Sequence, residues 1–400
     1  MKRSRKWLEL YWVAPLALIA LMSLGLLRAL PHQAPPAHGR TVTGDDGQSV
    51  VIEEPFRGIC LTYGFLFPNW YLEDTHAPDL LVYAGTADQR KWFSGNALRL
   101  AYPQLLNKES LWDPRVFRFA HDGYIEIEAM MAYNPGVYLG VAGDYTPIPL
   151  MRRMGLPTLS NWGHAKGGEK AGLSTARVNA ALIGNPALGD AHIAEYWRDV
   201  NELKQELHPG NLTLLPKVLL MSASRLNRRQ IGVVGDDTDW SNLYYPRAGV
   251  ANAASGHQAM SYDAERILAI DPETIVLAGI ATGPRPWESP QEFMHDPRWQ
   301  GLQAVQQKRV YRMAGVQDWS PGGLMFIPMR TRWLAELLHP ELLQPRLRQI
   351  LRDHFRNDFN TSLTDEEIDK QLRIDENAGS VGYERFTRSG AAARNEKSLQ

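Results

Sequence analysis

Four hundred residues with 44% hydrophobic and 22% charged content suit two domains of ordinary size, and exclude a disordered chain or a polytopic membrane protein. Lys and Arg number 43 against 44 Asp and Glu, a net charge of −1 that argues against a nucleic-acid binder working by bulk positive charge. The single cysteine, Cys60, excludes an internal disulfide, a cysteine-rich zinc site and an iron–sulfur cluster.

Lys2, Arg3, Arg5 and Lys6 precede a mainly apolar run over residues 7–27, interrupted by Glu9 and stopped at Arg28. As a helix this run spans about 30 Å, enough to cross a bilayer core. The basic cluster should stay cytoplasmic, which puts the rest of the chain on the outer side. Residues 1–30 are therefore expected to be a transmembrane signal anchor holding the protein to the periplasmic side of the inner membrane. The alternative is a cleaved signal and a soluble periplasmic body. No small-x-small site follows closely, since Ala34 is followed by Pro35 and residues 37–39 lie farther on. Residues 31–40, with three prolines, read as a linker.

From residue 41 onward short β-rich runs alternate with helical stretches, which predicts α/β layers. Strands are predicted at 58–63, 80–84, 137–142, 158–160, 217–222, 274–279 and 309–313. The clearest helix has Asn185 as its N-cap and Pro186 in its first turn, and is stopped by Pro209-Gly210. Its apolar face reads Ile193, Tyr196, Trp197, Val200, Leu203 and Leu207, with Glu195, Arg198, Glu202 and Lys204 largely opposite. A helix of this length can act as a strut between two lobes; a buried helix of one large domain is the alternative.

One phrase occurs twice, at 127–139 and 264–277. In each a glutamate, Glu128 or Glu265, opens a short amphipathic helix that ends at Asn134-Pro135 or Asp271-Pro272 and runs into a strand. The proline pushes its predecessor out of the α region and so ends the helix. A glutamate near a helix start is favoured by the helix dipole alone.

With these phrases the chain resembles the class III substrate-binding proteins of ABC importers for ferric siderophores, haem and cobalamin. Residues 41–55 resemble the family's opening hairpin, with Asp46-Gly47 at the turn. Residues 247–254, 299–311 and 337–341 resemble further family segments, so the likeness covers about residues 41–345. It implies two Rossmann-like α/β lobes, 41–184 and 210–345, joined by a long rigid helix over 185–209, with the ligand in the cleft between them. It also implies that Glu128 and Glu265 dock onto arginines of a permease dimer. Three features depart from the family: the apparent anchor in place of a lipidated or cleanly cleaved signal, an aromatic-rich excursion over 88–118, and a polar tail over 373–400; residues 346–400 are expected to be helical at first and disordered from Arg373.

Ligands of open α/β sheets gather at the carboxyl ends of strands. The loops there offer Tyr63, Trp70, Asp144, Tyr145 and Trp162 in the first half, with Trp92 in reach. The second half offers Arg225, Arg228, Arg229, Trp240, Tyr245, Trp287, Asp318 and Trp319. Guanidinium groups suit anionic ferric chelates, and Trp and Tyr supply flat faces for an aromatic chelate. For each aromatic the competing role is core packing, and for the arginines a solvated turn. The eleven histidines form no metal-ligand spacing, so no metal site, resident cofactor or catalytic residue is expected. Tyr63 or Tyr145 could still serve as an axial haem ligand. Asp236, Asp237 and Asp239 follow Gly235 as turn chemistry does. The expected function is capture of a ferric siderophore and delivery to an ABC permease, with no nucleic-acid partner. The alternatives are a haem or cobalamin binder, a membrane-tethered iron-handling accessory protein without a cognate permease, and an enzyme built on the same fold.

Overall fold

Short parallel strands buried on both faces organise each half of the chain, and the alternation of their side chains divides its interior. The computed structural model describes residues 39–61, 77–83, 90, 93–94, 97–112, 117–118, 124–140, 148–161, 168–207, 214–227, 230–233, 235, 243–256, 261–278, 287, 289–314 and 326–390. The apolar run 7–27 lies outside them. Among the described residues no helix is long and apolar enough to cross a membrane.

β1 (Gly39–Thr43) and β2 (Ser49–Glu53) form the expected opening hairpin. Gly47 in its turn takes a φ of 77°, which a side chain would disfavour. β3 (Ile59–Leu61) and β4 (Leu81–Tyr83) follow. Then come α1 (Ile127–Met131), β5 (Val137–Gly140), α2 (Ile148–Arg153), β6 (Thr158–Ser160) and α3 (Gly168–Leu182). The four strands β3–β6 make a parallel sheet in the order β4-β3-β5-β6.

The 22-residue helix α4 (Pro186–Leu207) lies in the chain between this sheet and the second. The second half contributes β7 (Lys217–Asn227), β8 (Gln230–Val233), β9 (Ser261–Tyr262), α5 (Ala264–Ile270), β10 (Thr274–Ala278), β11 (Val310–Arg312) and α6 (Phe326–Leu338). Its strand order is β9-β8-β7-β10-β11, with residues 251–252 also pairing with β7. β7, β10 and β11 are parallel, and β8 and β9 add on antiparallel. All seven predicted strands are present. β8 was not legible because it is only four residues long, too short for the alternation of Ile231 and Val233 with Gln230 and Gly232 to stand out.

Alternate residues of β3, β5, β7 and β10 enter different clusters. Ile59 and Leu61 of β3, Val218 and Leu220 of β7, and Val276 and Ala278 of β10 all join one large core. Leu203 and Leu207 of α4, Leu182 of α3, and Trp333 and Leu337 of α6 belong to the same core. Cys60 instead faces Met130 of α1 and Met151 of α2, while Leu219, Ile275 and Leu277 face Ile267 of α5. The helices bearing Glu128 and Glu265 therefore cover the outer face of their sheets. Residues 40–400 form one compact unit.

Two local expectations shift. Asn134 and Asp271 take left-handed conformations, φ 49° and 44°, instead of the extended one that a following proline favours. Asn and Asp tolerate this region, and here their side chains are held: Arg57 donates to Asn134 Oδ1 at 2.9 Å, and the Gln303 N–H to Asp271 Oδ1 at 2.7 Å. On α4, Trp197 is 37% exposed although its spacing placed it on the apolar face. The Arg247 guanidinium covers it instead, 5.5 Å from the ring centroid.

Arg247 is also the centre of a buried tie. It donates to Glu169 Oε1 of α3 at 2.7 Å and to the Tyr196 hydroxyl of α4 at 2.8 Å, and that hydroxyl donates to Glu169. Burial, and next the bond to Glu169, push the Tyr196 phenol well above its ordinary pKa, so it keeps the proton it donates.

The tail corrects the expectation of disorder from Arg373. α7 (Leu347–Phe359) and α8 (Asp365–Gln371) lead into a packed segment in which Asn377, Ser380, Tyr383, Arg385 and Phe386 are buried. Its polar side chains are spent on backbone groups. The Asn377 amide accepts from the Arg312 N–H at 2.6 Å and donates to the Arg312 carbonyl at 3.0 Å, as a neighbouring strand would. Ser380 Oγ donates to the Val310 carbonyl at 2.5 Å, so the edge strand β11 is covered. Arg385 donates to the carbonyls of Glu336 and Leu343 around the end of α6. Composition alone reads such polarity as solvation. Residues 391–400 lie outside the described residues.

Two stability predictions follow from these contacts. Asn377→Ala strips partners from two buried backbone groups and should cost about 1–3 kcal/mol, read as a lower urea midpoint at unchanged slope. Arg247→Ala leaves Glu169 buried beside Tyr196 and should cost about 3–5 kcal/mol. Adding Glu169→Gln should recover part of that loss in the same titration; a double variant no better than the single one would show that the ion pair is not the source.

Candidate functional site

Because β3–β6 are parallel, their carboxyl ends share one edge of the first sheet; those of β7, β10 and β11 share one edge of the second. The ligand-contact expectations fall just beyond these ends. Tyr63, Trp70, Trp92, Asp144, Tyr145, Trp162, Arg228, Arg229, Trp240, Asp318 and Trp319 lie outside the described residues. Arg225 lies in the distal part of β7.

Tyr245 and Trp287 are placed otherwise than expected. Tyr245 is 1% exposed in the core shared by both sheets. Trp287 is 6% exposed, packs edge-on to Phe293 and Trp299, and donates its indole N–H to Asp296 at 3.1 Å. Hydrogen bonds from Arg298 hold the Asp296 carboxyl down at about 2, and the same guanidinium lies 5.9 Å from the Trp287 ring. Both aromatics are thus buried as packing surface, and the Trp287 indole N–H is already spent on Asp296.

The two glutamates are better defined. Glu128 sits in the first turn of α1 and Glu265 in the first turn of α5, both exposed. From Glu126 to Pro135 and from Asp263 to Pro272 the succession of exposed, half-buried and buried positions is the same. Met130 and Ile267 point inward at equivalent places, and each helix ends in a left-handed Asn or Asp. The N-terminal caps differ: Asp263 accepts from the Arg266 N–H at 2.8 Å, while Glu126 makes no side-chain cap. Many other carboxylates form ion pairs, such as Glu169, Glu206 and Glu367; no ion pair is formed by Glu128 or Glu265 among the described residues.

No group of three or more His, Cys, Asp or Glu among the described residues is arranged to hold a metal ion. The Cys60 thiol is buried, and burial pushes its pKa far up, which removes it from thiolate chemistry. The Glu169–Tyr196–Arg247 tie was not legible beforehand. Its members are 27 and 51 residues apart along the chain, and nothing local to Arg247 announces a buried partner.

A sequence profile described as periplasmic binding protein matches residues 101–315, more than half of the chain. No curated protein matches it. Several solved structures share the fold. A periplasmic solute-binding protein of Veillonella parvula is 20% identical with a TM-score of 0.69, over 85% of this chain and 99% of the other. The TroA-like periplasmic binding protein FepB, also of Veillonella parvula, is 15% identical with a TM-score of 0.59, over 81% and 97%. A periplasmic haem-binding protein of Pseudomonas aeruginosa is 17% identical with a TM-score of 0.53, over 72% and 94%. At such identities the likeness establishes the fold. The profile spans both Glu-led phrases, and the chain belongs to the periplasmic binding protein family.

Proposed function

We propose that the chain is the solute-binding component of an ABC importer, capturing a ferric siderophore between its two sheet-bearing halves and presenting it to a permease dimer. The observation that carries this reading is the pair Glu128 and Glu265, exposed in matching settings on the outer helix of each half and forming no ion pair among the described residues. Family membership implies a periplasmic place of work and a binding rather than catalytic role. The ligand class is supported by the arginine and aromatic content of the strand-end segments. Tyr63, Trp70, Trp92, Tyr145 and Trp162 would face Arg225, Arg228, Trp240 and Trp319 across a cleft. Segments 41–184 and 210–345 would be the lobes and α4 the stiff link between them. Haem is the nearest rival, on the strength of the Pseudomonas neighbour; cobalamin is another. Quenching of the protein's twelve tryptophans by each ligand class separates them.

Docking is testable apart from capture. Glu128→Arg with Glu265→Arg should leave ligand affinity within about twofold, since rim charges govern encounter and orientation. The same double variant should abolish uptake in cells; uptake at the wild-type rate would remove the docking role.

We further propose that residues 7–27 remain attached as an anchor. Mass spectrometry of the membrane fraction should find the intact N-terminus, and a mature chain beginning near Arg40 would establish cleavage instead.

A further inference from the structure

The outward faces of α1 and α5 carry more than their glutamates. Residues at i, i+3 and i+4 lie along one face of a helix, so Glu128 shares its face with Met131 and Ala132, and Glu265 with Leu268 and Ala269. All six are exposed, Met131 at 38% and Leu268 at 39%. An outward helix face is normally polar. Here it is a carboxylate, then a large apolar side chain, then an alanine, in the same order and at the same exposure in both halves. Next to α1 the first half adds Leu150 and Met154, also exposed, beside Met151 of α2, which packs with Met130.

Core packing does not account for Met131 and Leu268, because Met130 and Ile267 fill the inward positions of the same turns. Chance exposure of a single apolar residue is ordinary. Its repetition at equivalent positions beside an equivalent exposed carboxylate is not. A surface duplicated within one chain matches a partner that is itself two equivalent halves.

From this we infer that Glu128–Met131–Ala132 and Glu265–Leu268–Ala269 are two copies of one composite docking surface. The partner is a twofold-symmetric membrane-protein dimer whose subunits each present an arginine or lysine beside an apolar hollow. The carboxylate orients the encounter, and the apolar side chain gives the complex its lifetime. Alanine one turn beyond the glutamate lets the partner's backbone come close. This rests on the docking role of the two glutamates and assigns the binding energy to different atoms.

The test uses the full chain and the permease dimer in nanodiscs, with the charge-reversed Glu128/Glu265 variant alongside. Met131→Ser with Leu268→Ser keeps both carboxylates. It should weaken the complex by at least about tenfold, mainly through faster dissociation, while ligand affinity and melting temperature stay unchanged. Either single variant should lose an intermediate amount. Ala132→Cys with Ala269→Cys, treated with a maleimide–succinimidyl ester reagent that alkylates the thiols and acylates partner lysine amines, should cross-link one chain to two partner subunits, since the native Cys60 is buried. If charge reversal abolishes the complex but the serine pair binds as tightly as wild type, the composite surface is refuted and the docking role stands. If charge reversal also has no effect, the docking role itself fails. Cross-linking to a single subunit, or self-association of the free chain through these cysteines, would overturn the twofold partner.

Discussion

The guanidinium of Arg247 reaches the carboxylate of Glu169 on α3 and the phenol of Tyr196 on α4, so one side chain from the second half of the chain fastens two helices. Either ion of the pair would cost several kcal/mol to bury alone. With the phenol they satisfy one another, and they do so only when α3, α4 and the turn at Arg247 are in register.

Around this tie the packing is continuous. β3, β5, β7 and β10 each send alternate residues into one shared core and the remainder into separate outer clusters. The outer clusters are where the two halves are most alike, each closed by a short Glu-led helix. Parallel pairing makes this arrangement necessary, because strands running the same way need a crossover, and the crossover helix must cover a sheet face. The duplicated surface is therefore a by-product of duplicated topology that a partner with two equal halves can use.

Much of the fold was legible because its strands are short apolar runs punctuated by Gly and Pro, and because α4 has a clean helical period. Glu128 and Glu265 were legible through repetition of a whole phrase. Three things were not. Tyr245 and Trp287 looked like ligand contacts since residue type and proximity to a strand end do not reveal burial. The Arg247 tie depends on partners far along the chain. The tail looked disordered because Asn377, Ser380 and Arg385 are polar, yet each is consumed by backbone groups that only the folded β11 and the end of α6 supply.

The excursion over 88–118 and the C-terminal segment meet each other. Tyr102 stands edge-on to Phe359 at 6.1 Å, and Arg99 makes a two-pronged bond to Glu367 at 2.8 and 3.3 Å. Leu98 and Leu105 share a core with Phe355 and Leu363. Since the tail is also fastened to β11 and α6, it links early and late parts of the chain that are otherwise hundreds of residues apart. Such a latch raises folding cooperativity: neither half can open without exposing the surface that holds the other, so the body should melt in a single transition, not lobe by lobe.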